Sequence, residues 1–337
     1  MGKKLEYQET FQAIQNAEKI VITTHRSPDG DAIGSSMGLA RFIEKLGKNC
    51  RVIVPDEFPE FLNWIPGANK TIRFDKNKDL VKQILSDSDL VFSLDYNVKS
   101  RVGEEFGRLL EKLEKPMIMI DHHREPAQDY DHYIHDIEAS STGQLVYDFI
   151  SFSGNKDKID IGICEALYSG ILTDTGSFRF PSTSARTHAI VGEMMEIGLN
   201  ISKVYNNIYD NNSIDRLKLL GFVLGQKLHY FGDLQMAYMS LSHQEMQDHN
   251  YQAGDTEGFV NYALSIKGVN FSCLMKENEN GSVRMSFRSK GDFDVNTFAR
   301  ANFEGGGHLN AAGGRSKTSL AETEARFVEK AKALLLK

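Results

Sequence analysis

An α/β architecture is the fold class this sequence predicts: a parallel-sheet unit in the first half, then a smaller α+β unit. Three observations predict it. In the first half, short apolar runs alternate with amphipathic stretches of helical period. In the second half, shorter segments alternate apolar and polar residues and include a hairpin-type turn. The length, 337 residues, is that of roughly two domains at about 150 residues each.

Taken in order, residues 19–24 (KIVITT), 51–55 (RVIVP), 89–95 (DLVFSLD) and 116–121 (PMIMID) read as strands. Their Val and Ile content and lack of polar alternation suit a sheet covered on both faces. Residues 33–46, 77–85 and 104–113 read as helices, the first stopped by Gly47. Strands alternating with helices imply parallel pairing. Residues 142–153, 161–172 and 184–196 read as further helices, with a break at Pro181. The polar, turn-rich stretch 206–213 (NNIYDNNS) marks a domain junction, followed by a connecting helix over 214–228. Strands are expected at 234–241, 269–276 and 281–288, with the turn ENENG at 277–281 and a closing helix over 321–335.

Hydrophobic residues are 41% and charged residues 25% of the chain. That mix excludes a collagen-like, disulfide-framework or wholly disordered protein. The net charge of −7 argues against coating long nucleic acid, which calls for a basic excess. Cys50, Cys164 and Cys273 lie more than 100 residues apart, which is neither a zinc ribbon nor a secreted scaffold. No run approaches the ~20 apolar residues of a membrane span, and residues 1–20 carry no signal-peptide pattern. A cytoplasmic protein with no membrane partner is expected.

The chemistry gathers at strand ends. The first strand runs into His25-Arg-Ser-Pro-Asp29-Gly-Asp31, the third ends in Asp95, and the fourth ends in Asp121-His122-His123. Asp174 follows in Thr-Asp-Thr-Gly at a helix terminus. Ligands of open parallel sheets bind outside the carboxyl ends of the strands. Each residue alone is an ordinary turn, cap or packed histidine. Together, four of these aspartates and two of these histidines in one crevice repel and desolvate one another unless cations join them. Mixed Asp/His ligation favours Mn²⁺ over Ca²⁺, with Mg²⁺ as the alternative. Six ligands suit two ions about 3.5–4 Å apart, an arrangement of phosphoryl hydrolysis.

These motifs resemble the DHH phosphoesterases: His25-x-x-x-Asp29-x-Asp31, Asp95, Asp121-His122-His123 and Asp174 stand in the family's order. Gly305-Gly306-Gly307-His308-x-x-Ala-Ala-Gly-Gly, preceded by Phe287-Arg288-Ser289, resembles the signature of the DHH-associated domain. The compact length is similar to the NrnA-type branch. The resemblance implies a Rossmann-like catalytic domain over 1–195, a linker and connecting helix over 196–228, and a substrate-binding domain over 229–337. It implies one ion on His25, Asp29 and Asp95, and a second on Asp31, Asp95, His122 and Asp174. His123 would face the scissile phosphate as phosphate binder or proton donor, and Asp121 would hold a histidine. The implied substrates are short oligoribonucleotides and 3′-phosphoadenosine 5′-phosphate (pAp). The related alternatives are hydrolysis of pApA from cyclic-dinucleotide breakdown and RecJ-like exonuclease action. A homodimer is compatible with the sequence.

The glycine run removes three side chains in a row and so lets backbone N–H groups approach a phosphate or base, with His308 adding a donor. Between residues 284 and 317, Arg284, Arg288, Lys290, Arg300, Arg315 and Lys317 face only Asp292, Asp294 and Glu304, a local +3. Such an island suits a short anionic ligand of about 2–5 nucleotides rather than long RNA. Arg288 is the strongest candidate, because a guanidinium binds phosphate bidentately; Ser289 and Arg284 flank it. Phe178 and Phe180 are weaker candidates for base stacking, and Phe298 and Phe303 read as core.

Overall fold

The computed structural model describes residues 2–335. They divide into two compact units, 1–211 and 212–337. The first contains α1 (Gly2–Asn16), β1 (Lys19–Thr24), α2 (Gly30–Lys45), β2 (Asn49–Val54), β3 (Ile72–Arg73), α3 (Lys78–Asp87), β4 (Leu90–Leu94), α4 (Glu104–Glu111), β5 (Met117–Asp121), β6 (His132–His135), α5 (Thr142–Ile150), α6 (Ile161–Asp174), α7 (Ala185–Ile197) and α8 (Ile201–Tyr209). Its six strands are all parallel, in the order β3-β2-β1-β4-β5-β6. Strand order therefore reverses between β1 and β4, and a crevice opens at their carboxyl ends.

Alternation along the strands sorts the core into two layers. Val21, Val91, Met117 and Met119 pack with Val81, Leu85, Phe106 and Leu110 of α3 and α4. Ile20, Ile22, Phe92, Ile118 and Ile120 pack with α2, α5 and α6 through Leu39, Ile43, Val146, Phe149 and Leu167. Burial on both faces explains why these strands read as unbroken apolar runs. Helices α2 and α6 approach closely enough that a Cβ on Gly34 would lie 2.4 Å from the Ala166 carbonyl oxygen.

Two strands of this unit escape the sequence reading. β3 has only two residues, and β6 is a half-buried edge carrying His132 and His135. The helix α1 also had no reading. At the expected junction, α8 continues to Tyr209 through 206–209, a correction to the turn reading. Val204 and Ile208 are buried at helical spacing, and that apolar stripe outweighs the polar composition.

The second unit contains α9 (Ile214–Gln226), β7 (Leu228–Phe231), β8 (Met236–Leu241), α10 (His243–Asp248), α11 (Phe259–Leu264), β9 (Phe271–Glu277), β10 (Val283–Ser289), α12 (Val295–Asn302), β11 (Gly306–Gly307), β12 (Ala311–Ser316) and α13 (Leu320–Leu335). The sheet order is β11-β12-β10-β9-β8-β7, antiparallel except for β8 with β9. One face packs Phe271, Phe287, Phe298, Phe303 and Phe327 into an aromatic core. Helix α9 belongs to this unit: its Leu219 and Val223 pack with Met239, Leu241 and Phe259. No described helix is long and apolar enough to cross a membrane.

Candidate metal and phosphate site

The crevice between β1 and β4 collects the strand-end residues. His25 follows β1 and Asp95 follows β4, and His25 Nε2 lies 3.3 Å from Asp95 Oδ2 and 3.8 Å from Asp29 Oδ1. Asp29 caps α2, accepting from the backbone N–H groups of Asp31 and Ala32. Asp95 adopts φ +63°, a left-handed conformation that Asp tolerates better than most side chains. It turns the chain at the end of β4 and places the carboxylate among three histidines.

From β5, His122 Nε2 lies 3.2 Å from Asp174 Oδ2, 3.6 Å from Asp95 Oδ1 and 3.9 Å from Asp31 Oδ2. Asp31 is fixed from outside the motif: both its oxygens accept backbone N–H groups at the start of α5, from Thr142 at 2.6 Å and Gly143 at 2.8 Å. The Thr142 hydroxyl donates to Asp95 Oδ1 at 3.0 Å. Asp174, the last residue of α6, completes the group. The ligand atoms of His25, Asp29 and Asp95 lie within 4.8 Å of one another, and so do those of Asp31, His122 and Asp174.

The histidine tautomers follow from their other ring nitrogens. His122 Nδ1 donates to the Ala139 carbonyl at 3.2 Å, and His25 Nδ1 donates to the Arg26 carbonyl at 3.0 Å. Each neutral ring therefore carries its lone pair on Nε2, the nitrogen facing the carboxylates. A backbone carbonyl behind the ring and carboxylates in front is the arrangement of a metal-ligating imidazole. His123 differs. Its Nδ1 donates to Asp121 Oδ1 at 2.7 Å, and Asp121 Oδ2 accepts the His123 backbone N–H at 3.1 Å. His135 holds the His123 carbonyl at 2.6 Å.

Electrostatics show a site in conflict with itself. Burial pushes the Asp31 carboxyl well above its usual range, and the Asp95 and Asp174 charges add to the effect. Burial opposes a charge on His25, yet the Asp29 and Asp95 carboxylates push it up to about 10. Burial also raises the Asp29 carboxyl, but His25 outweighs it and holds Asp29 low. Burial, with the Arg101 and His122 charges, holds His123 well below the ordinary imidazole range. A divalent cation in each donor group resolves the carboxylate repulsion, so the residues present fit such ions.

Sequence reading missed Thr142, Gly143 and Gly170. A Cβ on Gly170 would sit 2.4 Å from Asp31 Oδ1. The available signal was Ser141-Thr142-Gly143 opening an apolar helix, where Ser141 is the N-cap and caps of that kind leave N–H groups for an anion. Phe178 stacks on Tyr168 and His188, and Phe180 lies against Gly176.

The second unit holds the remaining candidates. Arg284 and Arg288 alternate with buried Val283, Met285 and Phe287 on β10, and Arg284 pairs in register with Arg315 of β12, so the three arginines share one sheet face. Arg288 Nη1 donates to the Phe287 carbonyl, and its Nε is buried without a hydrogen-bond partner. Ser289 is committed to the fold: its hydroxyl donates to the Phe293 carbonyl at 2.6 Å and accepts from Asn310 at 2.9 Å. Lys317 pairs with Glu304, and Lys290 is tied to the Val269 carbonyl. The expected island thus narrows to the β10–β12 face.

The glycine run has a structural cause beyond ligand approach. A Cβ on Gly305 would meet the Gly313 carbonyl oxygen at 2.2 Å, and one on Gly307 would meet that of Ala311 at 2.5 Å. These two glycines let β11 lie against β12. The Gly307 N–H donates to Asn296, and His308 N–H donates to the Ala311 carbonyl. Gly306 alone has no atom within 3.5 Å of its would-be Cβ, the nearest being Arg300 and Asn296 at 3.6 Å.

Residues 19–171 match the DHH family, N-terminal domain, and residues 233–337 match the DHHA1 domain. A crystal structure of an exopolyphosphatase-related protein from Bacteroides fragilis superposes with TM-score 0.92 at 36% identity, covering 99% of this chain and 98% of that one. The curated "Bifunctional oligoribonuclease and PAP phosphatase NrnA" of Thermus thermophilus is 29% identical over 309 residues, 92% of this chain and 87% of its own. The Bacillus subtilis protein of the same name is 26% identical over 307 residues, 90% and 91% of the two chains. The chain belongs to the DHH family of phosphoesterases, hydrolases of phosphoester bonds, in the form that joins a DHH domain to a DHHA1 domain.

Proposed function

We propose that this protein hydrolyses short oligoribonucleotides of about 2–5 nucleotides to mononucleotides and dephosphorylates pAp to AMP. The observation that carries this reading is the paired Asp/His donor groups around Asp95, at the switch point of the parallel sheet. His25, Asp29 and Asp95 would hold one divalent ion, and Asp31, Asp95, His122 and Asp174 a second. Mn²⁺ is favoured, because imidazole nitrogens share the ligation with carboxylates. When bound, the ions supply positive charge to the phosphoryl oxygens and activate water for attack.

The chain's own residues orient the reaction. Asp121 accepts a hydrogen bond from His123 Nδ1–H, which would stabilise the imidazolium formed when phosphate enters, whose Nε2–H would then donate to the phosphate or its leaving oxygen. Thr142 and Gly143 hold Asp31, and Thr142 holds Asp95, so the carboxylates stand ready before substrate arrives. Arg284, Arg288 and Arg315 can contact only a few phosphates. A chain of net charge −7 offers long RNA no comparable attraction.

Initial rates on 5′-labelled RNA of 2, 5 and 20 nucleotides test the length reading. The dinucleotide and pentanucleotide are expected to show the higher kcat/KM. Faster cleavage of the 20-mer contradicts it and favours RecJ-like action. Preference for pyrophosphate over every phosphoester would move the activity toward phosphoanhydrides.

A further inference from the structure

We propose that Arg101 is the phosphate-binding cation of the first unit, gripping the non-bridging oxygens of the substrate's reacting phosphate. This rests on the phosphoesterase reading above.

The turn that carries Arg101 is built to hold it in place. Arg101 lies in the short 3₁₀ turn Lys99–Val102, shortly after Asp95. Its carbonyl accepts the Arg26 N–H at 2.8 Å, which ties the turn to the chain beside His25. On the other side, Lys99 pairs with Asp129 at 2.7 Å, and Asn97 donates to the Arg124 carbonyl at 2.6 Å. Those bonds tie the same stretch to the loop that follows His123. Helix α4 closes over it, since a Cβ on Gly107 would lie 2.9 Å from the Lys99 carbonyl oxygen. The segment between the His25 loop and the His123 loop is therefore held at both ends.

The guanidinium itself is uncommitted. It is partly buried, and among the described residues no carboxylate pairs with it and no acceptor bonds to it. Three other arginines of this unit are paired: Arg26 with Asp56, Arg73 with Asp75 and Glu57, Arg186 with Asp148 and Glu193. The bond from the Arg26 N–H to the Arg101 carbonyl sets Arg101 beside His25. A partly desolvated guanidinium left without an anion is unfavourable, yet the nearby aspartates are turned toward the histidines and backbone N–H groups. An incoming phosphate supplies the missing partner, with the planar fork matched to two oxygens. Asp-x₅-Arg from Asp95 to Arg101 is the sequence feature that carries it.

The test uses the full chain loaded with Mn²⁺ and measures the Kd of inorganic phosphate by calorimetry, alongside bound metal and dinucleotide kinetics. Arg101→Ala should weaken phosphate binding by about tenfold or more, the loss of a charge-assisted pair, and raise KM for the dinucleotide. Metal content should be unchanged. Arg101→Lys should be intermediate, keeping the charge without the fork, and it carries the test by itself if the alanine variant does not fold. A phosphate Kd within twofold of wild type in either folded, metal-loaded variant overturns the assignment, as does a wild-type protein that binds no phosphate. Wild-type protein that binds phosphate but cleaves no phosphoester contradicts the proposed activity instead; the Arg101 assignment then stands or falls on the phosphate Kd.

Discussion

Replacing Asp121 with Asn separates the histidine proposed to face substrate, His123, from those proposed to hold metal, His25 and His122. Asp121 is fully buried and has two donors to satisfy, His123 Nδ1–H at 2.7 Å and the His123 backbone N–H at 3.1 Å. Asn offers one acceptor and one N–H₂ group. In either orientation, its N–H₂ faces a donor, so one bond is lost and a buried polar group is left unsatisfied. If the N–H₂ meets Nδ1, His123 must take the other tautomer and its Nε2 carries the proton. The lost charge-assisted bond is worth about 1.5–3 kcal/mol, and supporting partners of this kind typically contribute about 10–100-fold to activity. Asp121→Asn should therefore lower kcat by about 10–100-fold while bound Mn²⁺ stays at the wild-type level. Dinucleotide hydrolysis under saturating metal, with metal content measured on the same samples, is the assay. A kcat within twofold of wild type, or metal loss parallel to the loss of rate, would refute the reasoning.

Metal-free protein should lose stability as pH rises. His25, pushed up to about 10, stabilises the fold fully below its unfolded value of about 6.5, and that contribution disappears as pH climbs through 10. Asp31, raised well above 3.8, binds more protons folded than unfolded, so its contribution also falls as pH rises from there. Below about pH 6.5 the depressed His123 works in the opposite direction, its cost to the fold falling as pH rises, so thermal melts of metal-stripped protein from pH 7 to 9 should show a declining Tm, and saturating Mn²⁺ should remove the decline; a rising Tm over that range without metal would contradict the charge assignment. Gly170→Ala drives a methyl group into Asp31 Oδ1 across a helix contact with no slack. It should destabilise by about 1–3 kcal/mol and weaken Mn²⁺ binding by about tenfold or more. Gly192→Ala is the control: exposed on α7 with no atom within 4 Å of the new Cβ, it should be neutral or stabilising by up to about 1 kcal/mol. Equal metal affinity in the two variants would sink the packing argument.

The fold's central strands were legible because β1, β4 and β5 are buried on both faces, which leaves apolar runs that need no partner to be recognised. Two others were not: the edge strand β6 reads His-Tyr-Ile-His and β12, between β11 and β10, reads Ala-Ala-Gly-Gly-Arg-Ser, where pairing rather than side-chain propensity makes the strand. The strand-end acids and histidines were legible as residue types at topologically expected places. What holds them was not. Asp31 is gripped by main-chain N–H groups more than 100 residues away, and main-chain donors leave no mark in side-chain composition. The glycine run shows the opposite case. Its absent side chains were visible, but their first cause at Gly305 and Gly307 is the neighbouring strand, which only the β11–β12 register reveals.

The most direct test of the account is to strip the protein of metal, restore Mn²⁺ stepwise, and follow RNA dinucleotide hydrolysis against bound ions, in wild type and in Asp95→Asn. Asn keeps the left-handed backbone that Asp95 adopts while removing the carboxylate proposed to serve both ions. The account predicts no hydrolysis without metal, activity that returns as two ions bind per chain, and an Asp95→Asn variant that neither fills both positions nor turns over substrate. Hydrolysis by fully stripped protein, or wild-type turnover by Asp95→Asn, would contradict it.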